Sequence, residues 1–272
     1  MTLEAGSPPP VAPQQSLSRQ FEVGTVITRT FSVWRSNVLT FSLLTVASDA
    51  PIVAMSLIAG VPIPGMTAPN RNPFHPGQTP LSFPTSIWFA YLATMVLVLI
   101  QVGGITQAVM SHLSGKRVSV PEMITAGLKR FFPMLGVILV SYLMLVFGLV
   151  LLIVPGVILV CALSVTIPVS VLERQGIFGP ISRSFFLTKG HRLAIFLAAL
   201  IFFVVFAAVY TFGSFMLPTY TASFSPMLGT LLGLALNIAF GSLAWILPCV
   251  IYHDLRVAKE GLDPQQLSAV FD

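Results

Sequence analysis

Apolar residues gather into six long runs, at about 37–60, 86–111, 133–153, 156–172, 193–216 and 227–251. A helix needs roughly 20 residues to cross the hydrocarbon core of a bilayer, and each run approaches or exceeds that length. The pattern predicts an all-α, polytopic membrane protein with six transmembrane helices. Only Val154–Gly156 separates the third run from the fourth, so the two are expected to form a tight hairpin; a re-entrant pair is the competing reading.

Polar positions between the runs are also patterned. Before the first run, Val23, Val26, Ile27, Phe31 and Trp34 share one helical face, and Glu22, Arg29, Ser32 and Arg35 share much of the other. Before the third, Val120, Met123, Ile124, Leu128 and Phe131 oppose Glu122, Lys129 and Arg130. Residues 177–196 repeat this less cleanly, since Phe186 falls off the apolar face. Such segments suit helices lying in the headgroup plane with basic groups on lipid phosphate. The expected architecture is therefore three hairpins, each preceded by an amphipathic interfacial helix.

Charge sharpens this picture. Only 8% of the 272 residues are charged, against roughly 25% in an ordinary soluble domain. With both termini cytoplasmic, 13 of the 14 Lys and Arg fall inside and Arg71 alone falls outside, which fits the positive-inside rule and an inner-membrane location. So few and scattered basic residues make no stripe for nucleic acid. Residues 1–20, rich in Pro, Ser and Gln, are expected to be a disordered tail, and 262–272 a short C-terminal tail; 21–261 is the membrane domain. The 61–85 loop carries seven prolines and is expected to be extended.

Candidate chemistry is sparse. Arg29, Arg35, Lys129, Arg130, Arg183, Lys189 and Arg192 are expected to meet anionic lipid phosphates, each contact worth about 1 kcal/mol. Gly190 is expected to end the interfacial helix before the fifth span. Asp49 is a carboxylate inside the first span, two positions before Pro51, where a helix break is expected. Two readings of Asp49 stay open: a proton- or cation-coupling site, or a hydrogen bond to Ser42, Ser48 or a neighbouring helix. Pro168 and Pro248 are expected to kink the fourth and sixth spans, either structurally or beside a substrate. Gln101, Gln107 and Asn237 suit interhelical hydrogen bonds, and Gly104, Gly229, Gly233 and Gly241 close helix contacts. Asp254, next to Arg256, is expected to pair with a basic residue of Arg183–Arg192 in an electrostatic clasp. His253 and Asp254 lack a third metal ligand, the two cysteines imply no disulfide framework, and neither a metal nor a cofactor is expected. No HExxH, GxSxG or GxxxxGK motif occurs.

Residues 155–196, PGVILVCALSVTIPVSVLERQGIFGPISRSFFLTKGHRLAIF, and 251–261, IYHDLRVAKEG, resemble bacterial multi-pass proteins related to the membrane domain of glycerophosphoryl diester phosphodiesterases. Glu173, Gly176, Arg183, Ser184, Leu187, Thr188, Lys189, Gly190, Arg192, Tyr252, Asp254, Leu255 and Arg256 carry the likeness. The resemblance implies a six-span inner-membrane protein associated with lipid or the envelope. It does not carry phosphodiesterase activity, because that chemistry belongs to a separate soluble domain. The leading expectation is a non-enzymatic protein that organises anionic lipid, or a membrane or cytoplasmic protein partner, at the inner face. A transporter or permease component using Asp49 and the broken helices is the alternative.

Overall fold

The computed structural model describes residues 21–59, 85–116, 118–151, 153–173, 175–221 and 223–261. Both expected tails, and the 61–85 loop apart from Thr85, lie outside them. The described chain is helical: α1 (Val23–Ala59), α2 (Thr85–Leu113), α3 (Val120–Leu151), α4 (Ile153–Leu163), α5 (Thr166–Leu172), α6 (Phe178–Thr188), α7 (Arg192–Thr211), α8 (Leu217–Thr221), α9 (Pro226–Gly241) and α10 (Leu243–Glu260). A π-helical turn, Phe212–Met216, joins α7 to α8. Among the described residues, six stretches are long and apolar enough to cross a bilayer: Val23–Met55, Trp88–Leu113, Val120–Val150, Val154–Leu172, Arg192–Thr221 and Leu231–Glu260. The chain is thus a multi-pass membrane protein. Its many exposed large apolar residues, such as Leu39, Phe147, Val150 and Leu193, suit a surface solvated by lipid.

Helix irregularities lie away from several expected positions. In α1 the backbone leaves helical geometry at Asn37 (φ −130°, ψ 17°) and runs on through Pro51. The Asn37 amide donates to the Val33 carbonyl at 3.0 Å, drawing backbone bonding away from the regular ladder. Pro51 removes one amide, which a membrane helix tolerates when neighbouring groups or local adjustment compensate. The kink therefore separates the first turns of α1, which carry Arg29 and Arg35, from its apolar length. In the fourth span the break falls at Ser164–Val165, between α4 and α5. Pro168 stands one turn later and cannot donate to the Ser164 carbonyl, so the proline acts upstream of itself. In the sixth span the joint is at Ser242, and α10 continues through Pro248.

The third and fourth spans reverse earlier than the Val154–Gly156 turn expected. A side-chain carbon on Gly148 would lie 3.7 Å from the Gly156 Cα, so α3 and α4 already run side by side there. Val154, Pro155 and Gly156 belong to α4. The closest crossing joins α2 to α3. A side-chain carbon on Gly103 would sit 2.7 Å from the Gly127 Cα, and one on Gly104 would sit 2.8 Å from the Met123 carbonyl oxygen. A side-chain carbon on Gly213 of the π turn would lie 3.6 Å from the Gly233 carbonyl oxygen, so the second glycine of GTLLG packs within the chain.

One buried cluster runs along the bundle axis. Val26 and Phe41 of α1, Ile105 of α2, Met123 of α3, Leu187 of α6, Ile195 of α7 and Ile246 and Leu255 of α10 all belong to it. It draws α1, α6 and α10 together at the end of the bundle that carries most described basic residues, called here the basic end.

Candidate functional site

At the basic end, five side chains close into a ring. Glu173 caps the C-terminus of α5, Arg183 lies on α6, and Tyr252, Arg256 and Glu260 follow one another at four-residue intervals on α10, which sets them on one helical face. Tyr252 donates its phenol proton to Glu173 Oε1 at 2.8 Å. Arg256 reaches the Tyr252 hydroxyl from Nη1 at 3.2 Å and Glu260 from Nε at 2.8 Å. Arg183 donates from Nε to both Glu173 oxygens, at 3.1 and 3.2 Å, and from Nη2 to Glu260. Two guanidinium groups thus face two carboxylates, and the bonds are charge-assisted. Burial opposes the charge on Arg183, yet Glu173 and Glu260 outweigh it and raise its pKa above the usual arginine value.

Surrounding contacts lock this ring to the bundle. The Ser184 hydroxyl donates to the Ala162 carbonyl at 2.6 Å, tying α6 to α4. Gly190, at φ +89°, takes the left-handed conformation that turns the chain from α6 into α7. Lys259 donates to the Phe186 carbonyl and sits 4.9 Å from the Phe186 ring centre. Arg29 of α1 pairs with Asp254 of α10, whose Oδ1 also lies 3.0 Å from His253 Nδ1.

These contacts revise the expected clasp. Asp254 binds Arg29, and Arg183, from the segment expected to meet Asp254, binds Glu173 and Glu260. Position on α10 decides this: Glu260 and Arg256 share the face turned to α6, whereas Asp254 lies about 100° per residue away from its neighbours on the helix and turns to α1. The two arginines are therefore committed to carboxylates within the chain. Arg192 stacks 5.8 Å from the Phe185 ring centre. Arg35, Lys129 and Lys189 are exposed, and Arg130 is half-buried.

A second polar site lies inside the membrane. Gln101 of α2 donates to Thr45 Oγ1 at 2.8 Å, and its Oε1 lies 2.7 Å from the Ser48 hydroxyl, so an interhelical network ties α2 to α1. Thr45 and Gln101 edge a cavity of about 400 Å³ together with Asp49, Tyr91, Phe206, Tyr210, Asn237, Phe240, Gly241 and Trp245. Asn237 donates to Ser214 of the π turn at 3.1 Å and to the Gly233 carbonyl at 2.9 Å. Asp49 has no hydrogen-bond or ion-pair partner among the described residues, and the Ser48 hydroxyl turns to Gln101 instead. Pro51, Pro168 and Pro248 do not line the cavity.

Comparison with known proteins returns no family model, curated protein or solved structure that matches the chain.

Several site residues escaped sequence reasoning. Glu260 was visible only as one of four alternating charges after the sixth span, yet it bridges Arg183 and Arg256. Arg29 read as a lipid contact because its carboxylate partner lies 225 positions away along the chain; of the two partners of Arg183, Glu260 lies 77 positions away and Glu173 ten, across the break between α5 and α6. For Glu173, Tyr252 and Arg256, the motifs Glu-x-x-Gly and Tyr-x-Asp-Leu-Arg were the available signal. Phe206, Tyr210, Phe240 and Trp245 gave none, since aromatic residues are ordinary in apolar spans. Among the described residues, no group of three or more His, Cys, Asp or Glu is placed to hold a metal ion.

Proposed function

We propose that this chain is a non-enzymatic inner-membrane protein that organises anionic lipid, or a protein partner, at the cytoplasmic face. In this reading both termini and the basic end are cytoplasmic, and three hairpins follow three amphipathic interfacial segments: the start of α1, the start of α3, and α6. The observation that carries it is the separation of duties among the basic side chains. Arg29, Arg183 and Arg256 are bound to carboxylates and hold α1, α5, α6 and α10 together, whereas Arg35, Lys129 and Lys189 stay exposed. Exposed Leu128, Phe132, Phe178 and Phe186 lie on the same segments and suit the boundary between headgroups and hydrocarbon. The resemblance to the membrane domain of glycerophosphoryl diester phosphodiesterases supports the same reading.

The test is retention of phosphatidylglycerol by the purified chain in neutral detergent. Replacing Arg35, Lys129 and Lys189 together by Gln should lower retention about a hundredfold, since each basic residue near a lipid surface contributes about 1 kcal/mol and about 1.4 kcal/mol is a factor of ten. Unchanged retention would overturn the lipid part of the proposal. Specific co-purification of one soluble protein, lost with the same triple variant, would assign the partner part.

Asp49 supports a second reading, a transporter or permease component, because its carboxylate borders an intramembrane cavity. Solute flux in proteoliposomes abolished by Asp49→Asn would establish it. The absence of flux for all solute classes tried would leave the organising role.

A further inference from the structure

We propose that the cavity between α1, α2, α7, α9 and α10 is a binding site for an organic cation, an ammonium group joined to an apolar body. The proposal shares its cavity with the transport reading, but it concerns binding and stands whether or not the ligand crosses the membrane.

The sign of the ligand's charge follows from Asp49. A carboxylate in a membrane-spanning helix is costly without a partner, and none is present among the described residues. Some donors on the same lining are already engaged, and the Tyr91 and Tyr210 hydroxyls and the Trp245 indole make no hydrogen bond to Asp49. Asn237 uses both amide protons, on Ser214 Oγ and the Gly233 carbonyl. The Thr45 hydroxyl donates to the Phe41 carbonyl at 3.0 Å, and the Gln101 amide to Thr45. No side chain among the described residues neutralises Asp49, and a positive group from outside the chain is the complement its charge favours.

The class of cation follows from the walls. A hard inorganic cation such as calcium wants six or more oxygen ligands, commonly with several carboxylates, whereas this lining offers one carboxylate and a few neutral oxygens, of which those of Thr45 and Gln101 are already hydrogen-bonded to each other or to Ser48. Tyr91, Phe206, Tyr210, Phe240 and Trp245 surround it instead. The Phe206 and Tyr210 rings stack, 6.3 Å apart and inclined by 18°, giving a continuous aromatic wall. Aromatic faces attract ammonium groups through the ring quadrupole, and apolar walls accept the hydrocarbon attached to them. A volume of about 400 Å³ suits a small organic molecule.

Backbone irregularity at the same place is a separate observation. The cavity is edged by Gly241, next to the Ser242 joint, and through Asn237 by the π turn at Phe212–Met216. Irregular backbone at membrane depth is tolerated where it is buried in protein or lines a cavity, and π turns recur at functional sites.

The ammonium has two chemical sources, a free hydrophobic amine or the ethanolamine headgroup of a lipid. The experiment uses the full chain purified in dodecyl maltoside, which carries no ammonium, and measures equilibrium binding of radiolabelled benzyltrimethylammonium. Saturable binding is expected. It should weaken about tenfold or more in Asp49→Asn, because removing one partner of a desolvated charge pair is costly. The uncharged isostere neopentylbenzene should fail to compete. Val53→Trp, which fills the cavity and keeps the carboxylate, should weaken binding to a similar degree and carries the test if Asp49→Asn does not fold. Stronger displacement by lysophosphatidylethanolamine than by short ammonium ions would assign the lipid source, and the reverse would assign the free cation. No saturable binding, equal competition by the isostere, or wild-type affinity in both variants would overturn the proposal. Binding without flux would retain this site and discard the transport reading alone.

Discussion

Replacing Gly127 by Ala tests the closest helix crossing in the bundle. The new methyl carbon would lie 2.9 Å from both the carbonyl carbon and the Cα of Ile100, and nearer still to the Ile100 oxygen. Ordinary contact begins at 3.4 Å, and clearing the Ile100 oxygen requires α2 and α3 to part by roughly an ångström or more. The obstructing atoms are backbone, and Gly103 opposite offers no side chain that can rotate away. Overpacking of this kind costs about 1–3 kcal/mol, with backbone contact placing it near the top, whereas Ala gains about 1 kcal/mol over Gly in helix propensity. The clash wins by about 2 kcal/mol. At about 2–4 °C per kcal/mol for a chain of this size, the melting temperature should fall by about 4–8 °C. Cys161 and Cys249 are both buried, so a thiol-reactive fluorogenic dye reads unfolding in detergent without added labels. Gly24, with nothing within 4 Å of a built side-chain carbon, is the control, and Gly24→Ala should leave the melting temperature unchanged or raise it. A Gly127→Ala protein that melts at or above the wild-type temperature would refute the crossing. Because Gln101 follows Ile100 directly, the same displacement should loosen the Thr45–Gln101 bond and the cavity edge beside it.

The polar ends of the bundle give three further expectations. Tyr252→Phe removes the hydroxyl between Glu173 and Arg256 and should cost about 1–3 kcal/mol in the same melting assay; a neutral result would exclude a stabilising ring. Arg29→Asp should destabilise the chain, and adding Asp254→Arg should recover part of the loss, with a coupling of at least about 0.5 kcal/mol; strict additivity of the two changes would mean that α1 and α10 are not joined there. Cysteines placed at Lys129 and Lys189 should react with an impermeant maleimide from one side of the membrane, and a cysteine at Phe224, exposed between α8 and α9, from the other; labelling of all three from the same side would contradict the proposed topology.

The six crossings were legible in the linear sequence because the preference of a segment for hydrocarbon depends on its own residues, averaged over a length set by the bilayer. Glycine at the turn before the fifth span was equally legible, since a positive φ, which Gly190 takes, carries no steric cost for glycine alone. Helix irregularities were only half visible. Proline announced the break before Pro168, but Pro51 and Pro248 pass inside continuous helices, and Asn37 bends α1 through a bond to its own backbone. Partner choice was not visible at all. Asp254 has basic residues available from several segments, and which one it meets depends on whether α1 or α6 lies against its face of α10. The same holds for Gly103 and Gly127, which are ordinary glycines until two helices cross at them, and for Asp49, whose surroundings come from five helices brought together by folding. Hydropathy is additive along a chain and therefore readable from it, whereas an ion pair, a crossing or a cavity is a relation between distant segments that exists only once their relative placement is set.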